Sequence, residues 1–142
     1  KTTMAAAGDV VYTSLYADAP ELEGTLFRDI DMKQQVVRIV KMIDRVVKML
    51  EQPEEMTPVL LQLGERHAGY GVNKTHYPSV GRGIVAMLRE TLGAQVMTGR
   101  VTAAWETFLA RVQRDMLAGA DSARGRALLA AFAVAVHFVA VS

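Results

Sequence analysis

Apolar residues recur at intervals of three and four along almost the whole of this chain, the spacing that lines up side chains on one face of an α-helix. Val11, Leu15, Leu22 and Leu26 open the series, and Pro20 interrupts it, which predicts the end of one helix and the start of a new turn. Met32, Val36, Ile39, Ile43, Val46 and Leu50 predict a long helix, stopped by the run Glu51-Gln52-Pro53-Glu54-Glu55. Thr57-Pro58 then has the form of an N-cap followed by proline at the first helical position. Leu60, Leu63 and His67 share one face of the short helix that follows. Val80, Ile84, Leu88 and Leu92 predict another helix, closed by Gly93, and Val101, Trp105, Phe108, Val112 and Met116 predict the next. No stretch alternates with period two for long enough to suggest a sheet. The fold class is all-α.

The tail departs from this pattern. From Ala127 to Val141 the residues are apolar on every side, with His137 the one polar side chain. The segment is shorter than the roughly 20 residues that span a bilayer, and no Lys/Arg face accompanies it for docking on a membrane surface. It predicts a helix buried on most sides, or one that meets a partner and supports an oligomer.

Composition narrows the function. A length of 142 residues predicts one domain over 1–142. Sixteen basic and fifteen acidic residues are interspersed, so nothing forms the one-sided basic patch of a nucleic-acid binder. No cysteine is present, which excludes disulfides, iron–sulfur clusters and a covalently attached haem. That absence suits a reducing cytoplasm, and the first residues lack the order of a secretory signal. With three histidines, a metal held by several protein ligands would need carboxylates to dominate. A tetrapyrrole iron is different, because the ring supplies four nitrogens and the protein one axial ligand. His67, on an apolar face close to Gly69 and Gly71, is the best placed. On the residues alone two readings stand: a satisfied core histidine, or an axial ligand.

The run Leu63-Gly64-Glu65-Arg66-His67-Ala68-Gly69-Tyr70-Gly71-Val72, continuing to His76-Tyr77-Pro78-Ser79-Val80-Gly81, resembles bacterial single-domain globins. These are relatives of the flavohaemoglobin haem domain, neuroglobin and cytoglobin. Pro20 with Leu26-Phe27, the stretch from Asp31 to Ile39, and Ala103-Ala104-Trp105 extend the resemblance over roughly residues 8 to 118. It implies a globin fold, a three-over-three helical sandwich, holding haem b without a covalent link.

The resemblance also implies roles for particular residues. His67 is the proximal iron ligand, its second ring nitrogen bonded to a carbonyl one turn earlier, near Leu63. Phe27 wedges against the ring, and Val72 and Tyr77 line the proximal side. Tyr12 and Gln35 stand at the distal positions and would stabilise a bound gas. Ile39 lies one turn further along, and Arg38 meets a haem propionate. Phenol O–H and amide N–H₂ are both donors, so they suit an acceptor such as oxygen. Bis-histidine ligation is not expected with glutamine at 35. The glutamate that flavohaemoglobins carry late in their last helix falls near Ala120 here, so its push on the proximal histidine is absent.

The implied ligands are oxygen, nitric oxide and carbon monoxide. Nitric oxide dioxygenation is one functional reading and would need an external reductant. A gas sensor or interaction module working through the apolar tail is the other. The first helix of the family is missing before Gly8-Asp9-Val10-Val11-Tyr12, while the extra apolar segment stands at the end. Two readings of residues 123–141 follow: a first helix moved to the C-terminus by circular permutation, or an unrelated apolar extension. Permutation predicts that this segment packs on the long distal helix and on the helix carrying Trp105. It also predicts Leu128, Phe132 and Val139 buried, and Lys1 near Ser142.

Overall fold

The computed structural model describes residues 4–24, 27, 28 and 30–141, and the side chains of residues 6–135 among them. All regular structure among these residues is helical. Helix α1 (Met4–Asp18) stops before Pro20, and a single turn, α2 (Glu21–Gly24), follows it. Helix α3 (Met32–Lys48) begins where the Asp31 carboxylate accepts from the backbone N–H groups of Lys33 at 3.0 Å and Gln34 at 3.4 Å. Arg45 and Lys48 lie in its last turn, where cations complement the helix dipole. A 3₁₀ turn, Met49–Glu51, links it to α4 (Pro53–Gly69). Helix α5 (His76–Leu92) ends at Gly93, whose φ of 81° breaks the helix. Helix α6 (Gly99–Ala120) is capped by Thr98, whose hydroxyl accepts from the Val101 N–H at 3.3 Å. Helix α7 (Ala123–Val141) completes the order.

One boundary differs from the sequence reading. Helix α4 starts at Pro53, not at Pro58, which lies inside it. Both prolines suit a first turn, but Glu54 and Glu55 place anions at the helix start when Pro53 leads. Thr57 is no cap; its hydroxyl donates to the buried Asp115 of α6 at 3.3 Å.

Helices α3 and α4 lie over α1, α5 and α6. Helix α3 rests on α1, α1 on α5, and α4 on α6. The last pair meets backbone to backbone. A β-carbon at Gly64 would strike the Met116 carbonyl, and one at Gly119 would strike the Leu61 carbonyl. Gly64→Ala is therefore expected to cost about 1–3 kcal/mol, the usual penalty for overpacking. Chemical denaturation should show this as a lower midpoint. Gly24→Ala serves as the control, because nothing lies within 4 Å of its added carbon.

The apolar interior falls into two clusters. One joins Val11, Tyr12, Leu15 and Leu22 to Val36, Ile84, Met87 and Leu109. The other joins Val46, Met56, Leu60 and Leu63 to Tyr77 and Met116.

The tail is helical as expected, but its partner is corrected. Helix α7 packs chiefly on α4, with α6 as second neighbour, and no comparable packing on α3 is found among the described residues. The cause lies at its start. Asp121 pairs with Lys74 at 2.5 Å, and Ser122 Oγ donates to Glu65 at 3.3 Å. These contacts hold the start of α7 against α4 and the turn that follows it. Leu128 is half-buried, whereas Leu129, Phe132 and Val134 are exposed by 43, 36 and 70 %. Burial of Phe132 was expected and is not found. Leu26, Lys1 and Ser142, with the side chains of His137, Phe138 and Val139, lie outside the described residues. No helix among the described residues is long and apolar enough to cross a membrane.

Candidate functional site

Helices α3 and α4 form a hairpin that opens away from the 3₁₀ turn. At the turn, Met42, Val46 and Met49 share a cluster with Met56 and Leu60. Further out, α3 packs on α1 and α4 on α6 and α7, with no comparable packing of the two on each other among the described residues. Gln35 and Ile39 stand on one arm of the opening and His67 on the other.

On the α4 arm, His67 Nδ1 lies 2.8 Å from the Leu63 carbonyl, one helical turn back. A carbonyl only accepts, so Nδ1 carries the proton and Nε2 keeps its lone pair free. Burial holds the His67 pKa below the ordinary value, with the bond to Leu63 opposing and the neighbouring Arg66 charge reinforcing. The ring is thus a neutral imidazole with one nitrogen tied and the other available. Tyr77 lies beside it, ring centroids 6.5 Å apart, and Tyr70 on another side at 6.1 Å. The Tyr77 hydroxyl is buried without a hydrogen-bond partner, and burial pushes its pKa up to about 12. Val72, half-buried, packs on the same cluster, its N–H bonded to the His67 carbonyl at 3.1 Å.

On the other arm, Tyr12 of α1 is buried and its ring meets Phe27 edge-on at 5.5 Å. Burial raises its pKa, while a hydrogen bond with the Gln35 side chain lowers it in part. Arg38 Nη1 donates to Gln35 Oε1 at 3.4 Å. Gln35 thus stands between the exposed Arg38 and the buried Tyr12. Ile39 packs half-buried against the Tyr12 cluster. Gln34, next to Gln35, is exposed.

The structure thus gathers Tyr12, Phe27, Gln35, Arg38 and Ile39 on one side and Leu63, His67, Val72 and Tyr77 on the other. The sequence reading treated Gln35 and Arg38 as separate; their spacing of three on one helix was the available signal. His76 is engaged elsewhere, its Nδ1 accepting from the Asn73 N–H at 3.2 Å and its Nε2 3.7 Å from Glu21. Among the described residues no group of three or more His, Cys, Asp or Glu is placed to hold a metal ion. A groove of about 430 Å³ between α5 and α6, lined by Val85, Arg82, Arg89 and Gln113, contains none of the residues named above.

The globin family profile matches residues 23–116, more than half of the chain. The chain belongs to the globin family. Its curated relatives include the flavohemoprotein of Bordetella bronchiseptica, 30 % identical over 124 residues, which are 86 % of this chain and 29 % of that one. The flavohemoprotein of Rhizobium meliloti is 27 % identical over 112 residues, 78 % of this chain and 27 % of its own length. Neuroglobin of Danio rerio is 29 % identical over 108 residues, covering 76 % of this globin and 65 % of the fish protein. The chain spans less than a third of the flavohemoproteins it matches.

The residues of this globin fit a haem. The free His67 nitrogen is of the type that could supply an axial bond to a tetrapyrrole iron. The unpartnered Tyr77 hydroxyl beside it marks a polar position that the protein's own groups leave unsatisfied.

Proposed function

We propose that this globin holds one haem b on His67 and binds oxygen on the Tyr12 side. The observation that carries this reading is His67 itself: Nδ1 fixed to Leu63 at 2.8 Å, Nε2 free, across the opening from the Tyr12–Gln35 pair. When bound, the haem supplies a ferrous iron with one position open to a diatomic gas. His67 holds the group and the Leu63 carbonyl fixes the ring's tautomer and angle. Phe27 and Ile39 exclude water on the distal side, and Tyr12 presents its O–H there, oriented by Gln35. Arg38, exposed at the rim, stands where it can meet a propionate carboxylate. Absorption spectra of the purified protein after haem addition test this reading. One haem per chain is expected, with a five-coordinate ferrous form that converts on carbon monoxide addition. Failure to take up stoichiometric haem would sink it.

Hydrogen-bond donors that retain oxygen suit reaction with nitric oxide better than oxygen delivery. The likeness to flavohemoproteins supports nitric oxide dioxygenation driven by an external reductant, in a reducing cytoplasm. Consumption of nitric oxide in the presence of oxygen and a reductase is the corresponding assay. A sensor reading is favoured by one observation: α7 lies on the helix that carries His67 and presents Leu129 and Val134 outward. We read α7 as an apolar extension rather than a moved first helix, because it sits on α4 and not on α3.

A further inference from the structure

We propose that α7 is a strap that positions the His67-bearing end of α4, with Phe132 as its wedge; the proposal rests on the haem reading above. Helix α4 ends just past His67. The turn that follows hangs from the histidine's own neighbourhood: the Tyr70 N–H bonds to the Arg66 and His67 carbonyls at 3.1 Å, Gly71 to Ala68 at 3.0 Å, and Val72 to His67 at 3.1 Å. At Gly71 the backbone adopts φ 81°, a conformation that glycine enters without penalty. A β-carbon there would collide with the Phe132 ring, so the ring is pressed flat against the turn. One at Gly69 would meet Leu128 Cβ at 3.3 Å.

The contacts run in register along both helices. Glu65 meets Ser122 at 3.3 Å and the Arg124 guanidinium at 3.7 Å, then Gly69 meets Leu128, then Gly71 meets Phe132. Lys74, beyond the turn, pairs with Asp121 at 2.5 Å and closes the far side. At roughly 100° per residue, Glu65 and Gly69 lie on the opposite side of α4 from Leu60, Leu63 and His67. Leu61 and Gly64, which face α6, lie between. The helix is therefore braced from behind as well as from the side. Any displacement of His67 along the axis of its free nitrogen must carry the Gly69–Gly71 turn into Phe132, or away from it. The polar start of α7 fixes where the strap begins, and the aromatic ring fixes how far the end of α4 can retreat.

The test compares Phe132→Ala with Phe132→Tyr, which keeps the ring, and with Leu129→Ala on the outward face of the same helix. In the haem-free chain, amide hydrogen exchange over residues 66–72 should quicken by about tenfold in Phe132→Ala, as local opening becomes easier. In the ferrous haem complex, the iron–histidine stretching band in resonance Raman spectra should shift or broaden in that variant. Phe132→Tyr should restore both signals, and Leu129→Ala should leave both at wild-type values. Wild-type exchange and an unmoved band in Phe132→Ala would overturn the proposal, as would equal changes in Leu129→Ala. If Phe132→Ala does not fold, Leu128→Ala gives the same comparison at the adjacent contact. Should the wild-type chain take up no haem, the haem reading falls, while the exchange measurement still decides whether α7 braces α4.

Discussion

His67→Ala is expected to abolish tight haem retention. Loss of groups that merely orient a metal ligand typically costs 10–100-fold in affinity, so loss of the ligand itself should cost at least about a hundredfold. The replacement is mild for the fold: the ring is half-buried, and its polar contact among the described residues is to a carbonyl of its own helix. His76→Ala is the companion variant. Its nitrogens already face Asn73 and Glu21, so haem stoichiometry should be unchanged. A haem titration followed at the Soret band, repeated as a transfer experiment to an acceptor apoprotein, separates the two. A Soret spectrum and stoichiometry in His67→Ala equal to wild type would remove His67 from its role. Loss of retention in His76→Ala instead would reassign the axial bond.

Tyr12→Phe should raise the oxygen dissociation rate by at least about tenfold. A hydrogen bond to an acceptor of charged character contributes about 1.5–3 kcal/mol, and 1.4 kcal/mol is already a factor of ten. Carbon monoxide, which draws less charge, should respond less. Gln35→Leu should act in the same direction by a smaller amount, because it removes the group that orients the phenol and leaves the phenol in place. It also strips Arg38 of its partner at 3.4 Å, so the distal rim should loosen without collapsing. Stopped-flow displacement of oxygen reads all three effects. A silent Tyr12→Phe would mean that the buried phenol does not face the gas.

The helical layout was legible because each core helix repeats its apolar positions on one side. Val36, Ile84 and Met116 are buried where that spacing puts them. The start of α4 was not, since Pro53 and Pro58 offer the same local signal and only Asp115, 58 positions from Thr57, draws the threonine away from capping. The bond from His67 to Leu63 was implied by the resemblance to globins, and a spacing of four on one helix puts the two within reach. The partner of α7 could not. A helix apolar on all sides names no face, and the contacts that place it, Lys74 with Asp121 and Glu65 with Ser122, come from separate segments with no shared motif. The link between Gln35 and Tyr12 joins two helices and becomes visible only when α3 lies on α1.

The split interior has a consequence for cooperativity. The two apolar clusters share three long elements: α3 contributes Val36 to the first and Val46 to the second, α5 contributes Ile84 and Tyr77, and α6 contributes Leu109 and Met116. On α5 and on α6, two turns of helix, roughly 11 Å, separate the two side chains. Loosening of the cluster around α1 therefore reaches the cluster around α4 along these three rods. A prosthetic group seated between Tyr12 and His67 would add a direct connection beside these rods, and the two halves would then melt more sharply as one unit than in the bare chain.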